Sequence, residues 1–239
     1  ALLRVYDKDG KVISRTQKPE IFELAAPEVW WHNDLGADDI VLPPWTPMEK
    51  EDDTVACWGR SIRFDGKPLP AQIVSRDKEL LRGPIRIDLE LDGEPVALGK
   101  AKVEYAEATE TKMDRVWTAS DRGVTLTVRT FTEFDGLIWT TLSIDNRSGK
   151  PVTGLQVTAP VRRERATFIH TPQRTVNYPE QGNGFRVDRP FNYTWGEQEV
   201  TYVWLGDYER GLFWTCENRK GWWSLDRSDE IQILPGEDE

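Results

Sequence analysis

Apolar and polar side chains alternate with a period of two through most of the chain. In Ile85-Arg86-Ile87-Asp88-Leu89-Glu90-Leu91 every second side chain is aliphatic and the others are charged, as in a strand with one face on a core and one in water. Val124, Leu126 and Val128 alternate with Thr125, Thr127 and Arg129. After Asp135-Gly136, the residues Ile138, Thr140, Leu142 and Ile144 resume the same beat, which predicts a hairpin. Further turn signals stand at Asp9-Gly10, Asp65-Gly66, Asp92-Gly93, Arg122-Gly123, Ser148-Gly149 and Gly182-Asn183-Gly184. With Val, Ile, Thr, Tyr and Trp between them, they predict an all-β fold of antiparallel sheets stacked as a β-sandwich, a supersandwich included, with almost no helix. The nearest approach to a helix is Asp77-Lys78-Glu79-Leu80-Leu81, which Gly83-Pro84 would soon end. A TIM barrel needs helical stretches between its apolar runs, and the pattern offers none.

The rhythm breaks between Pro27 and Pro47. Trp30, Trp31 and Trp45 stand there among acidic residues and four prolines, which predicts an ordered loop with rings to pack. No composition shift, repeat or low-complexity tract marks a boundary, so residues 1–239 read as one domain. Ala1-Leu2-Leu3-Arg4-Val5-Tyr6 reads as the interior of a strand, and Glu230-Ile231-Gln232-Ile233-Leu234 starts another near the last residue. Both ends read as cuts in a longer protein.

Charge narrows the partners. The 31 Lys and Arg face 41 Asp and Glu, a formal net charge of −10, opposite in sign to a fold that tracks phosphate backbones. Nucleic acid is therefore not an expected partner. No apolar run approaches the ~20 residues of a membrane-spanning helix, so a membrane is not expected either. Cys57 and Cys216 have no zinc-ligand spacing, and both a bridge and two buried thiols fit their strand-like surroundings. Glu49-Lys50-Glu51-Asp52-Asp53 and Gly236-Glu237-Asp238-Glu239 read as solvated turns rather than calcium loops. No metal and no cofactor is expected.

Catalytic candidates are few. His32 and His170 are the chain's two histidines, and neither adjoins a nucleophile motif. A mutarotase-like sugar epimerase would set such a histidine opposite a carboxylate, for which Glu209 or Glu217 can be nominated. Glycoside cleavage needs paired carboxylates whose separation the sequence does not reveal. The 11 tryptophans are the unusual feature. An indole face stacks on a pyranose while short polar neighbours bond its hydroxyls. Trp30-Trp31-His32-Asn33-Asp34 and Trp222-Trp223-Ser224 fit that description, although one of two adjacent tryptophans on a strand points into the core. Trp58, Trp117, Trp139 and Trp204 lie on alternating runs and are expected in core or inter-sheet packing. The residues expected to touch carbohydrate or a neighbouring domain are Trp30, Trp31, Asn33, Asp34, Trp45 and Trp222.

Four blocks carry a family resemblance. Trp31-His32-Asn33-Asp34-Leu35-Gly36 leads to Val41-Leu42-Pro43-Pro44-Trp45-Thr46-Pro47. Then come Cys57-Trp58-Gly59-Arg60 and Leu80-Leu81-Arg82-Gly83-Pro84-Ile85. Last is Trp204-Leu205-Gly206-Asp207-Tyr208-Glu209-Arg210-Gly211-Leu212-Phe213-Trp214 with Glu217-Asn218-Arg219-Lys220-Gly221-Trp222. In this order the blocks resemble the N-terminal β-sandwich domain of glycoside hydrolase family 123 and related proteins. His32 departs from the smaller residue expected at its place. The resemblance implies a sandwich placed before a C-terminal TIM-barrel domain, in enzymes that include β-N-acetylgalactosaminidases. There the catalytic Asp-Glu pair lies on the barrel, so no residue here inherits a catalytic role. It also implies a secreted or periplasmic parent, although no targeting segment is visible. Two functions follow: a non-catalytic accessory domain packed on the barrel, with the Trp-rich loop and the Trp204 to Trp222 region at its face or the rim of its cleft and Asp207, Glu209 and Arg210 serving their own turn, or a carbohydrate-binding module with exposed Trp30, Trp31 or Trp222 as platforms.

Overall fold

The structure, a computed structural model, describes residues 4–15, 38–170, 185–186, 191–193, 202–216 and 231–234. The chain divides into two compact units, Ala1–Asp39 and Ile40–Glu239. In the first, β1 (Arg4–Tyr6) and β2 (Val12–Arg15) pair as an antiparallel hairpin. The Asp7 carboxylate closes its turn by accepting from the backbone N–H groups of Asp9 and Lys11.

The second unit is antiparallel sheet, with no α-helix among the described residues. β3 (Glu49–Glu51), β4 (Thr54–Cys57), β5 (Arg60–Arg63), β6 (Gln72–Ser75) and β7 (Lys78–Glu79) form a five-stranded sheet in chain order. β8 (Arg86–Leu91) and β9 (Glu94–Pro95) make a hairpin around Asp92-Gly93. β10 (Lys102–Ala108), β11 (Lys112–Asp121), β12 (Val124–Glu133) and β13 (Ile138–Asn146) form a four-stranded meander. β14 (Val152–Thr158) then pairs with β8. A 3-10 turn at Arg163–Arg165 leads to β15 (Phe168–His170), β16 (Phe185–Arg186), β17 (Phe191–Tyr193), β18 (Tyr202–Gly206), β19 (Gly211–Thr215) and β20 (Ile231–Ile233). Strands β16, β15, β18 and β19 join in that order, and β17 pairs with β20.

The alternation becomes the core. β8 buries Leu89 and Leu91 and exposes Arg86, Asp88 and Glu90. β12 buries Val124, Leu126, Val128, Thr130 and Thr132 along one face, and its hairpin with β13 forms around Asp135-Gly136. Trp117, Ala119, Leu126 and Val128 of the meander pack with Leu69, Ile85 and Ile87. Farther along, Met113 meets Val55, Cys57, Ile62 and Phe64. The meander is thus one layer, and the five-stranded sheet and β8 supply side chains to its inner face. Each fully buried aliphatic side chain stabilises such a core by about 1.5–3 kcal/mol.

The sequence Asp77–Leu81, the nearest approach to a helix, is instead a hairpin and its exit. Arg76 and Asp77 hold φ of 46° and 63°, so a two-residue primed turn joins β6 to β7. Leu81 is fully buried, and the Gln72 side chain holds its backbone by donating to the Leu81 carbonyl and accepting from its N–H, both at 3.0 Å. Among the described residues no helix is long and apolar enough to cross a membrane.

Candidate functional site

Of the residues expected at a contact site, Trp30, Trp31, Asn33, Asp34 and Trp222 lie outside the described residues, as do His32 and Glu217. Trp45 is half-buried. Its ring meets Trp58 at 6.4 Å and Phe134 at 5.8 Å, edge-on in both cases, and its backbone N–H donates to the Leu42 carbonyl across the cis Pro43-Pro44 bond. Trp58 is 41% exposed because it occupies the β4–β5 turn rather than a strand, which corrects its expected place in the core. The Cys57-Trp58-Gly59-Arg60 block is that turn. Burial pushes the Cys57 thiol up, Gly59 supplies a φ of 67°, and Arg60 Nη1 donates to the Asp135 carbonyl at 3.0 Å. No disulfide joins Cys57 to Cys216.

Three carboxylates are held by arginines. Asp53, in the turn before β4, accepts from Arg115 Nε at 2.7 Å and Nη2 at 2.8 Å, from Tyr105 Oη at 2.9 Å and from the Gly66 N–H at 2.7 Å. Arg115 is 1% exposed, and its guanidinium carbon lies 4.3 Å from the Phe64 ring centroid. The pair joins the five-stranded sheet to the meander, so Asp53 is not part of a solvated turn. Burial pushes its carboxyl up, but Arg115 and the Gly66 N–H outweigh that and hold it below the usual carboxylate range. On the outer face of the meander, Arg129 holds Asp114 down against the burial of that carboxyl. Asp207 is raised by burial and lowered further by Arg165, at 2.7 Å, and by the N–H groups of Glu209 and Arg210.

The Asp207 contacts explain the longest block. Asp207 caps the β18–β19 turn, Glu209 pairs with Arg210, and the Trp204 indole lies across Gly206 and Gly211, where a Cβ would strike it. Expected to serve their own turn, Asp207, Glu209 and Arg210 do so. One face of the β15–β18–β19 sheet is core, with Ile169 and Val203 buried. Cross-strand register puts Phe168, His170, Tyr202, Trp204 and Phe213 on the other face. His170 stacks on Tyr202 at 5.7 Å and Tyr202 on Phe213 at 5.2 Å, while Phe168 meets Tyr208 edge-on at 4.6 Å. Phe213 is 60% exposed and Tyr208 91%. This aromatic face overlaps the Trp204–Trp222 region expected at the barrel, but it includes Trp204, expected in the core, and Phe168, His170 and Tyr202, none of which was singled out for it. Its signal was the alternation of Tyr202, Trp204 and Gly206 against Val203 and Leu205.

Trp117 is buried as expected and donates from Nε1 to the Gly66 carbonyl at 2.9 Å. Trp139 is not in the core: it stands beside Thr141 on the meander's outer face, stacked on Phe131. Its parity along β13 is opposite to that of Ile138, Leu142 and Ile144, which pack inward. Among the described residues no group of three or more His, Cys, Asp or Glu is placed to hold a metal.

The family model for the glycoside hydrolase 123 third domain matches residues 48–224, most of the chain. The match takes in the Cys57, Leu80 and Trp204 blocks and the segment to Trp222, and starts after the Trp31–Pro47 block. It is to the family's third domain, where the resemblance pointed to an N-terminal one. Neither the curated proteins nor the solved structures contain a match. The chain is all-β and belongs to the glycoside hydrolase 123 family.

Proposed function

We propose that this domain is a non-catalytic accessory domain that seats against the TIM-barrel catalytic domain of a β-N-acetylgalactosaminidase-like parent, through the aromatic face of β15, β18 and β19. The observation that carries the reading is that face. Soluble proteins seldom leave an extended apolar patch open to water unless something docks on it. Tyr, Trp and Phe are also the residue types enriched where proteins meet. Phe213 and Tyr208 stand exposed there, each against a half-buried ring, Tyr202 and Phe168.

Three carboxylates are unsuited to the role of general acid. A glycosidase's general acid needs a raised pKa. Asp53, Asp114 and Asp207 are all held low by arginines and stay ionised at neutral pH. His170 has its ring stacked on Tyr202.

Sedimentation velocity and an activity assay test the reading together. The purified chain should self-associate as its concentration rises, Phe213→Ser should weaken that association, and an aryl N-acetylgalactosaminide should stay intact. Hydrolysis by the chain, or association untouched by Phe213→Ser, would contradict it.

A further inference from the structure

We propose that the outer face of the β10–β13 meander carries a second contact site, which takes one neutral pyranose ring of a glycan on the Phe131–Trp139 pair. The two rings stand directly opposite each other in register on β12 and β13, 6.1 Å apart and 14° from parallel. Around them the same face carries Thr118, Thr125, Thr127, Thr141 and Ser143, short hydroxyl residues that suit a solvated sheet. Large aromatics there serve no core. Lys112 Nζ sits 4.8 Å from the Phe131 ring centroid, so Phe131 has Lys112 and Trp139 as neighbours. Trp139 stands on the edge strand of the sheet, and with Phe131 it lines the depression beside Arg129 and Asp114. A flat apolar surface of this kind is what the C–H face of a sugar ring stacks on.

The polar groups match in kind and charge. Lys112, Asp114, Arg129, Phe131, Trp139 and Thr141 line a half-open depression of about 220 Å³. Pockets for drug-sized ligands begin near ~300 Å³, so this one admits a ring rather than a whole ligand. Arg129 Nε donates to Asp114 Oδ1 at 3.0 Å and Oδ2 at 3.1 Å, and Nη2 also donates to Oδ2. The Asp114 side chain is 3% exposed and that of Arg129 60%, so a buried carboxylate orients the guanidinium of a largely exposed side chain. Orientation before binding lowers the cost of binding. Arg129 is neutralised by Asp114, and Glu107 lies 4.0 Å from Lys112. The depression thus has no uncompensated cation for a sulfate or uronate, and a neutral sugar fits it. The site is on a different sheet from the proposed packing face and does not depend on it.

The test is saturation-transfer NMR and calorimetry on the 239-residue chain with galactose and N-acetylgalactosamine oligosaccharides, chitohexaose, cellohexaose and xylohexaose, with chondroitin sulfate as the anionic probe. Saturable binding of at least one neutral glycan is expected, in the millimolar range suited to a single-ring site. Trp139→Ala should weaken it at least ~10-fold, Trp139→Phe should retain most of it, and Thr141→Val should lower affinity severalfold without moving the thermal midpoint. No saturable binding of any neutral glycan, binding indifferent to Trp139→Ala, or preference for chondroitin sulfate would overturn the proposal.

Discussion

Asp53 and Arg115 show how much a single pair decides at the residue scale. Arg115 is sealed between sheets, so removing its partner leaves a buried charge unpaired, which costs about 3–5 kcal/mol. Asp53→Asn should therefore lower stability by that amount at pH 7, read from urea denaturation. The pH dependence follows from the lowered carboxyl. A carboxylate whose folded pKa lies below its unfolded one contributes fully above about pH 4 and loses that contribution as pH falls through the lowered value. The stability gap between the protein and Asp53→Asn should accordingly close on acidification below about pH 4, and a gap constant from pH 7 to pH 2 would contradict this. Gly206 makes a second case. A Cβ there would lie 2.6 Å from the Arg210 carbonyl oxygen and strike the Trp204 ring, whereas at Gly83 it would meet only Pro160 Cγ at 4.0 Å. Gly206→Ala should cost about 1–3 kcal/mol by overpacking, and Gly83→Ala should not. Asp53 was not legible as an anchor in the sequence, because an acidic run reads as solvated until the fold brings Arg115 against it.

At the scale of elements, strands whose two faces meet different media were the ones the sequence revealed. β8 and the β12–β13 hairpin carry an uninterrupted alternation and a turn with glycine at φ 93°. The Asp77–Leu81 segment misled because its charges preceded two leucines. The left-handed backbone at Arg76 and Asp77 decides the hairpin; Asp tolerates that conformation, but Arg does not announce it. Trp139 was placed wrongly by residue type, although its parity along β13 put it outside. The β4–β5 turn docks onto the β12–β13 turn through Arg60, whose side chain also fills the space beside Gly136. Arg60→Met should remove the bond to the Asp135 carbonyl and lower stability by about 1.5–3 kcal/mol. Amide exchange should quicken at Gly136 and Leu137 while β8 keeps its protection. Equal acceleration in both places would mean that the turn is not a separate contact.

For the whole molecule, sheets bury their alternating faces against one another, and β15, β18 and β19 leave an aromatic face in water. The chain belongs to the glycoside hydrolase 123 family, and the proposed accessory role would give that face a partner. The tryptophan-rich blocks made the family legible in the sequence. They did not reveal which rings stand exposed, since several serve turns and packing: Trp45 against Phe134, Trp204 over Gly206 and Gly211. The most direct measurement is hydrogen exchange of the 239-residue chain, alone and mixed with the TIM-barrel domain of a glycoside hydrolase 123 enzyme. Slower exchange confined to β15, β18, β19 and the Tyr208 turn, lost in Phe213→Ser, is the predicted result. Unchanged exchange in those strands on mixing, or protection that survives Phe213→Ser, would contradict the account.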